Sequence, residues 1–176
     1  MHRRAFLTLG ALLSAVGLPR REAAAADELT DLRKKGVLRV GTSDDYAPFS
    51  ALAEGRRRGL DIDMIAILSA ELGVHTQFVP FKWPELSSRL EQGAFDVAAS
   101  GITMRADRVL FGRFSRPYAV TGAVACFRKE DARRFSRPGD LDKPSVRIAV
   151  NRGGYLAQVA RSAFPRAGIE LLDKNT

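Results

Sequence analysis

A regular alternation of apolar runs and helical segments between residues 37 and 99 constrains the fold more than any other feature of the chain. The predicted strands are Val37 to Thr42, Thr76 to Val79 and Phe95 to Ala99, and the predicted helices run from Asp61 to Gly73 and from Pro84 to Glu91. This order predicts an α/β lobe with a mostly parallel sheet. The carboxyl ends of parallel strands share one edge of the sheet, and ligands bind at that edge.

The second half of the chain predicts one more strand and then a second α/β unit. The apolar run from Ala119 to Phe127 is expected to be a buried strand, and it contains Cys126, the single cysteine. Residues 128–144 are charged and hold two prolines, which predicts a connector. A strand, a helix and a strand follow at Val146 to Val150, Leu156 to Phe164 and Ile169 to Leu172. We therefore predict a first lobe over residues 27–127, opened by a helix at Asp27 to Lys35, and the start of a second lobe over residues 128–176.

Residues 1–26 have the pattern of an export signal peptide. A basic start at Met1 to Leu7 precedes an apolar stretch to Leu18, and Ala23 to Ala26 supply small residues for cleavage near Ala26. The stretch is too short for a stable transmembrane anchor. The pair Arg3-Arg4 favours the twin-arginine route, with the ordinary Sec route and a retained N-terminal anchor as alternatives. A periplasmic location is the expectation.

Charge and reactive residues exclude several function classes. The formal net charge is +8, of which residues 1–26 carry +3 through four arginines and one glutamate, leaving +5 for the rest. The densest basic run, Arg56 to Arg58 between two glycines, predicts a solvated turn. No aromatic residues interleave with a basic stripe, so a nucleic-acid partner is not expected. One cysteine and two histidines supply no disulfide, metal cluster or catalytic triad, so no cofactor is expected.

The run from Ser100 to Tyr118 predicts a carboxylate site at the sheet edge. A polar turn, Ser100 to Thr103, follows the third predicted strand, and Arg108 follows on a short helical turn. A guanidinium fork matches two carboxylate oxygens. Free backbone N–H groups in the turn would add donors. The alternative for an isolated arginine is an exposed surface position.

Five segments, in order and spacing, resemble the bacterial extracellular solute-binding proteins of family 3, the amino-acid receptors of ABC importers. The segments are Gly36–Ser50, Gly59–Gly73, Trp83–Leu90, Phe95–Thr103 and Phe114–Tyr118. The resemblance implies the type II periplasmic-binding-protein fold, in which two α/β lobes enclose a ligand, here with an incomplete second lobe. It implies a small-molecule ligand, either an amino acid or another carboxylate, an ABC permease as membrane partner, and no enzymatic activity. The family chain continues further, so we expect a C-terminally truncated sequence.

The same resemblance assigns roles to first-lobe residues. Arg108 matches the arginine that grips the ligand carboxylate, and Ser100 and Thr103 match the polar positions beside it. Gly101 lets the backbone approach the ligand closely. The matching aromatic walls are Tyr46 and Trp83, for which ordinary core packing is the alternative.

Two departures from the family pattern concern the ligand. Ser43 stands where many amino-acid receptors have an acid facing the ligand ammonium, and the following Asp44 and Asp45 are expected to face solvent unless the loop shifts. In the second-lobe turn, Gly154 keeps the backbone donors, but Tyr155 replaces a threonine that contacts the carboxylate. The ligand is therefore expected to differ from a standard small amino acid.

The Gly153-Gly154 turn also resembles that of the cyclohexadienyl dehydratases, exported enzymes of the same fold that act on prephenate or arogenate. In that branch a glutamate shortly after the glycine pair donates a proton, and Ala157 occupies the matching position here. An alanine supplies no general acid. Binding is therefore predicted over catalysis, with a lyase as the alternative and a sensor domain of the same fold as a third possibility.

Overall fold

The computed structural model describes residues 21–175, with side chains from residue 27 onward. The export-signal prediction rests on residues 1–26; the first twenty of these lie outside the described residues, and the cleavage site stays a prediction. The helices are α1 (Arg21–Lys35), α2 (Leu60–Leu72), α3 (Leu86–Glu91) and α4 (Tyr155–Ala163). The strands are β1 (Val37–Thr42), β2 (Asp45–Tyr46), β3 (Ser50–Ala53), β4 (Arg56–Arg58), β5 (His75–Pro80), β6 (Val97–Ala98), β7 (Arg147–Asn151) and β8 (Gly168–Leu172).

A parallel sheet with the strand order β5-β1-β6 forms the centre of the first lobe, which confirms the predicted sheet type. The middle strand β1 buries Leu38 and Val40, which pack with Ile65 of α2. Phe95 packs against the backbone of β1 at Gly41. The contact is so close that a Cβ added at Gly41 would lie 2.8 Å from the Phe95 ring. Apolar contacts between helices and strands thus stabilise the sheet, and the loops at its carboxyl edge extend from this packed core.

A small antiparallel sheet, β2-β3-β4, was not predicted from the sequence. Its second hairpin turns at Glu54 and Gly55, which both have positive φ, as a type I′ turn requires. The Arg56–Arg58 run is strand β4 rather than a solvated turn. Arg57 in this strand donates two hydrogen bonds, of 2.8 and 2.9 Å, to the Asp44 carboxylate.

The predicted strand from Ala119 to Phe127 is wrong for this structure. Within residues 21–175 no strand pairs with this segment, and its apolar side chains are exposed, with Val120 at 95 %. A strand requires a neighbour for its backbone N–H and C=O groups, and apolar alternation alone supplies none. Cys126 is exposed for the same reason, which corrects its predicted burial.

The second lobe contains the predicted elements. Strands β7 and β8 form a parallel pair, and α4 connects them and packs on the pair with Ala157 and Ala160 buried. Between residues 128 and 144 the chain forms short 3-10 turns at Lys129–Arg133 and Pro138–Asp140 and no long helix or strand. The turn between β7 and α4 faces the carboxyl edge of the first-lobe sheet, since Gly153 lies against Pro84.

An ion pair between Arg39 and Asp96 joins β1 to the start of β6 and predicts a pH-dependent contribution to stability. The Asp96 carboxylate accepts hydrogen bonds from the Arg39 backbone N–H at 2.8 Å and from its guanidinium at 3.2 and 2.5 Å. Burial raises the pKa of Asp96, but the hydrogen bonds and charge of Arg39 outweigh burial and hold this pKa below its ordinary value. The stabilisation is therefore present above the unfolded-state pKa of about 3.9 and is lost as the pH falls through the folded-state pKa.

Replacing Asp96 by asparagine is expected to lower the free energy of unfolding near neutral pH. The difference from the unchanged protein should shrink as the pH falls below about 4, because both proteins then lack the charged pair. Urea unfolding of the full-length protein at several pH values measures this difference. Asp63→Asn, which removes an exposed carboxylate, is the control. A destabilisation by Asp96→Asn that stays constant down to about pH 3 would contradict the electrostatic origin.

Candidate functional site

Seven of the eight residues predicted for the site line one narrow cleft between the two lobes. The first lobe contributes the loops after β1, β5 and β6, and the second lobe contributes the turn before α4 and the segment after β8. The predicted residues in the cleft are Tyr46, Trp83, Gly101, Thr103, Arg108, Gly154 and Tyr155, and they are joined by Asn151, Leu156 and Asn175.

The cleft is almost completely closed in this structure. Its volume is about 20 Å³, and a single water needs roughly 10–15 Å³ by the same kind of measure. An amino acid is several times larger than a water molecule. The cleft as it stands in this structure is therefore too small for such a ligand.

Arg108 is the cation of the cleft. It begins a 3-10 turn, Arg108–Leu110, and its side chain is 8 % exposed. Burial lowers the pKa of this guanidinium, and the nearby charge of Arg105 lowers it further. Its Nη1 donates to the Thr103 carbonyl at 3.0 Å, and none of the carboxylates from residue 27 to 175 forms an ion pair with it. A desolvated guanidinium without a carboxylate is suited to bind an anion that enters the cleft.

Arg105 has a different environment, although it lies in the same turn. Its guanidinium forms two hydrogen bonds, of 2.9 and 2.6 Å, with Asp107. These bonds and the Arg105 charge hold the pKa of Asp107 below its ordinary value. Asp107 thus pairs with Arg105 and forms no ion pair with Arg108, although the charges of both residues still act on the Arg108 guanidinium.

Ser100 is the predicted site residue that does not line the cleft. Its side chain is fully buried, and its Oγ accepts a hydrogen bond from the Ser43 backbone N–H at 2.8 Å. The same Oγ lies within hydrogen-bonding distance of the hydroxyls of Thr42 and Ser50, at 3.2 and 2.7 Å. The Ser100 hydroxyl thus connects the turn after β6 to the end of β1 and to the start of β3.

Gly101 adopts a left-handed conformation with φ of 59°, and a Cβ at this position would lie 2.7 Å from the Phe49 ring. Its N–H donates to Asp61 at 2.6 Å and is therefore not one of the free donors expected from the sequence. The backbone N–H groups of Ile102 and Thr103 donate to no other residue of the described range. Backbone donors for a carboxylate therefore lie one or two residues further along the turn.

Tyr46 and Trp83 form an edge-to-face pair whose ring centroids are 5.7 Å apart. Trp83 also packs edge-to-face on Phe81, so this ring belongs to the core of the first lobe and to the wall of the cleft. Its indole N–H donates to Asp45 at 3.1 Å. The sequence left core packing and cleft lining as alternatives for Trp83. In the structure Trp83 does both.

Asp44 and Asp45 were expected to face solvent, but both are half-buried. They have different partners. Asp44 is bound by Arg57, whereas Asp45 forms no ion pair with any residue from 27 to 175. The Asp45 carboxylate accepts hydrogen bonds from the backbone and side-chain nitrogens of Asn175 at 3.0 and 3.4 Å. Asp45 thereby links the two lobes at the edge of the cleft.

The second-lobe turn brings backbone rather than side chains to the cleft. Gly153 has φ of 74°, and a Cβ there would lie 2.8 Å from the Pro84 nitrogen. Gly154 precedes the first residue of α4, and the Asn151 side chain packs directly on it. A side chain at either glycine would collide with these neighbours.

Sequence reasoning missed Asn175, Asp61 and the role of Asp45. Asn175 follows β8, whose parallel pairing with β7 brings its carboxyl end beside the turn before α4; no residue pattern indicated this. The sequence predicted Asp61 only as the residue that opens α2, in its first turn. It does lie in that turn, but its oxygens bind Gly101 and Tyr118 instead of capping the helix.

Two α/β units with a cleft at the carboxyl edges of their strands define the type II periplasmic-binding-protein fold, and solved structures of that fold match this chain. An ancestral amino acid-binding protein, described as a precursor of cyclohexadienyl dehydratase, superimposes with a TM-score of 0.81 and 38 % identity, over 84 % of this chain and 66 % of that one. Residues 38–173 match the profile of the bacterial extracellular solute-binding proteins, family 3. The chain belongs to this family.

Two curated relatives represent two activities within this fold. Cyclohexadienyl dehydratase of Pseudomonas aeruginosa is 35 % identical over 160 residues, which are 90 % of this chain and 58 % of the relative. The L-cystine-binding protein TcyJ of Escherichia coli is 26 % identical over 159 residues, which are 89 % of this chain and 60 % of the relative. The chain thus spans about three fifths of the length of these relatives.

None of the helices from residue 21 to 175 is long and apolar enough to cross a membrane. In the same part of the chain, His, Cys, Asp and Glu side chains form no group of three that could hold a metal ion.

Proposed function

We infer that the chain is part of a periplasmic substrate-binding component of an ABC importer, which binds an amino acid or a related small carboxylate between two lobes. The observation that carries this proposal is Arg108, a desolvated guanidinium without an ion-pair partner among the described residues, facing an interlobe cleft. The lobes divide near residue 127, and the ligand carboxylate binds Arg108 with donors from Thr103 and the Gly154 turn. Tyr46, Trp83 and Tyr155 flank the remainder of the ligand. The partner is a membrane permease, reached after export through the twin-arginine signal.

A lyase acting on prephenate or arogenate is the second candidate, favoured by the similarity to the Pseudomonas aeruginosa dehydratase. The residues that line the cleft offer poor support for this chemistry. Ala157 is buried on α4, and the described lining contains no carboxylic acid and no histidine that could serve as general acid. Binding without turnover is therefore the function that the cleft favours.

A ligand panel on the full-length protein separates the two functions. We expect amino acids and small carboxylates to include at least one that raises the melting temperature and binds with a Kd in the micromolar range or below, roughly −8 kcal/mol. Prephenate should show no conversion to phenylpyruvate. Turnover would assign the protein to the lyases, and the absence of any thermal shift across the panel would remove the proposed binding function.

A further inference from the structure

A buried carboxylate, Asp61, lies beneath the proposed site without being part of it. Its side chain is in the first turn of α2 and is 3 % exposed. Among residues 27–175 it forms no ion pair, and α2 has no side-chain cap bond. A buried carboxylate is costly unless strong donors surround it. The positive end of the α2 dipole stabilises the Asp61 carboxylate. Two hydrogen bonds stabilise it as well.

The two hydrogen bonds of Asp61 come from two different segments. Its Oδ2 accepts the Gly101 N–H at 2.6 Å, and its Oδ1 accepts the Tyr118 hydroxyl at 2.7 Å. Both distances are short, as expected when the acceptor is charged. Burial and the Asp61 carboxylate raise the pKa of Tyr118, which keeps this hydroxyl protonated as a donor.

The Gly101 bond connects Asp61 to Arg108 through a short path. Gly101 begins the turn in its left-handed conformation, and two residues later the Thr103 carbonyl accepts from Arg108 Nη1 at 3.0 Å. A shift of Gly101 would move the Thr103 carbonyl. The hydrogen bond that orients the Arg108 guanidinium would then be lost. The Tyr118 hydroxyl ties a second segment to Asp61, and Tyr118 lines a cavity of about 250 Å³ together with Gly101 and Thr103.

We propose that Asp61 is the positioning residue of the carboxylate site, which holds the Gly101 turn and the Tyr118 segment so that Arg108 points into the cleft. This role rests on the proposed binding function, which it deepens. Asp61 itself touches no ligand, since it does not line the cleft. It acts through the geometry of Arg108.

The test compares four single variants and one double variant of the full-length protein. Asp61→Asn is isosteric and loses the charge, while Tyr118→Phe removes one donor and retains the Gly101 bond. Asp63→Asn is the matched control, because it makes the same charge change in the same helical turn at an exposed position. Arg108→Lys keeps the charge and loses the guanidinium fork. The measurements are the exchange rate of the Gly101 amide hydrogen and the Kd for L-cystine and prephenate, well below the melting temperature.

Asp61→Asn should accelerate exchange at Gly101 by about tenfold or more and weaken probe binding by about 10- to 100-fold. Tyr118→Phe should weaken binding by only about three- to tenfold, and Asp63→Asn should leave both readouts unchanged. If Asp61→Asn fails to fold, Tyr118→Phe carries the test. In the double variant Asp61→Asn with Arg108→Lys, the losses should be smaller than the product of the single losses, because both act on the same contact.

Multiplicative losses in the double variant would overturn the positioning role, since Asp61 would then act independently of Arg108. Unchanged Gly101 exchange in Asp61→Asn would also overturn it. If the unchanged protein binds neither probe, the Kd arm counts against the proposed ligand class. The exchange arm then still decides whether Asp61 holds the turn.

Discussion

Replacing Arg108 by glutamine is expected to weaken ligand binding by about 100-fold or more, which is about 2.7 kcal/mol. The guanidinium is the single cation of the described cleft lining, and it is buried in this structure. A carboxylate enclosed with it gains charge-assisted hydrogen bonds, which glutamine cannot replace. Isothermal titration of the full-length protein, with whichever panel member binds, measures the loss.

The same substitution is expected to leave the free energy of unfolding of the unliganded protein unchanged or to raise it by about 1 kcal/mol, because the variant no longer buries an unpaired charge. Arg113→Gln is the control, since Arg113 is exposed in the same segment and lies outside the cleft lining. It should change affinity by less than about threefold. Equal affinity losses in the two variants would mean that general basicity, not Arg108, attracts the ligand.

Replacing Gly101 by alanine is expected to destabilise the protein by about 2–4 kcal/mol and to weaken binding as well. Two costs add at this position. The left-handed backbone costs about 1–2 kcal/mol for a residue with a Cβ, and the new methyl group would lie 2.7 Å from the Phe49 ring and 2.9 Å from the Tyr46 ring. Displacement of Tyr46 changes the wall of the cleft. Urea unfolding and ligand titration measure the two effects.

Gly93→Ala separates the two costs. Gly93 has φ of 67°, and a Cβ there would have no neighbour within 4 Å. It should lose only the backbone cost of about 1–2 kcal/mol and retain full affinity. If Gly101→Ala is no more destabilising than Gly93→Ala, the close approach of Phe49 and Tyr46 to the turn is wrong.

The main sheet was predictable because its strands carry apolar patterns and each helix between them is followed within two residues by a left-handed glycine, Gly73 or Gly93. The site was predictable to the extent that it lies on that sheet edge. Arg108, Thr103 and Trp83 follow strand ends, and parallel pairing alone brings strand ends together. Seven of eight predicted positions therefore reach one cleft.

The remaining features depend on pairings that no local pattern specifies. The Ala119–Phe127 run has the apolar pattern of a strand. Whether it forms one depends on a neighbouring strand to pair with, and its own residues do not reveal whether such a neighbour exists. Asp44 and Asp45 are chemically identical neighbours, and they differ through their partners, which are Arg57 of an unpredicted hairpin for Asp44 and Trp83 and Asn175 for Asp45. Ser100 and Gly101 are likewise taken up by contacts from segments about 40 to 60 residues away in the sequence.

The closed cleft has a consequence for binding kinetics. A volume of about 20 Å³ admits no ligand, so the proposed binding function requires a wider state of the cleft, and the Asp45–Asn175 hydrogen bond is one of the contacts that join the two lobes in the narrow state. The measured affinity is then the intrinsic affinity multiplied by the fraction of time spent open, and a molecule open for about one part in a hundred would bind about a hundredfold more weakly than its contacts alone imply. Asp45, which does not line the cleft, would then influence the timing of capture through its hydrogen bonds to Asn175.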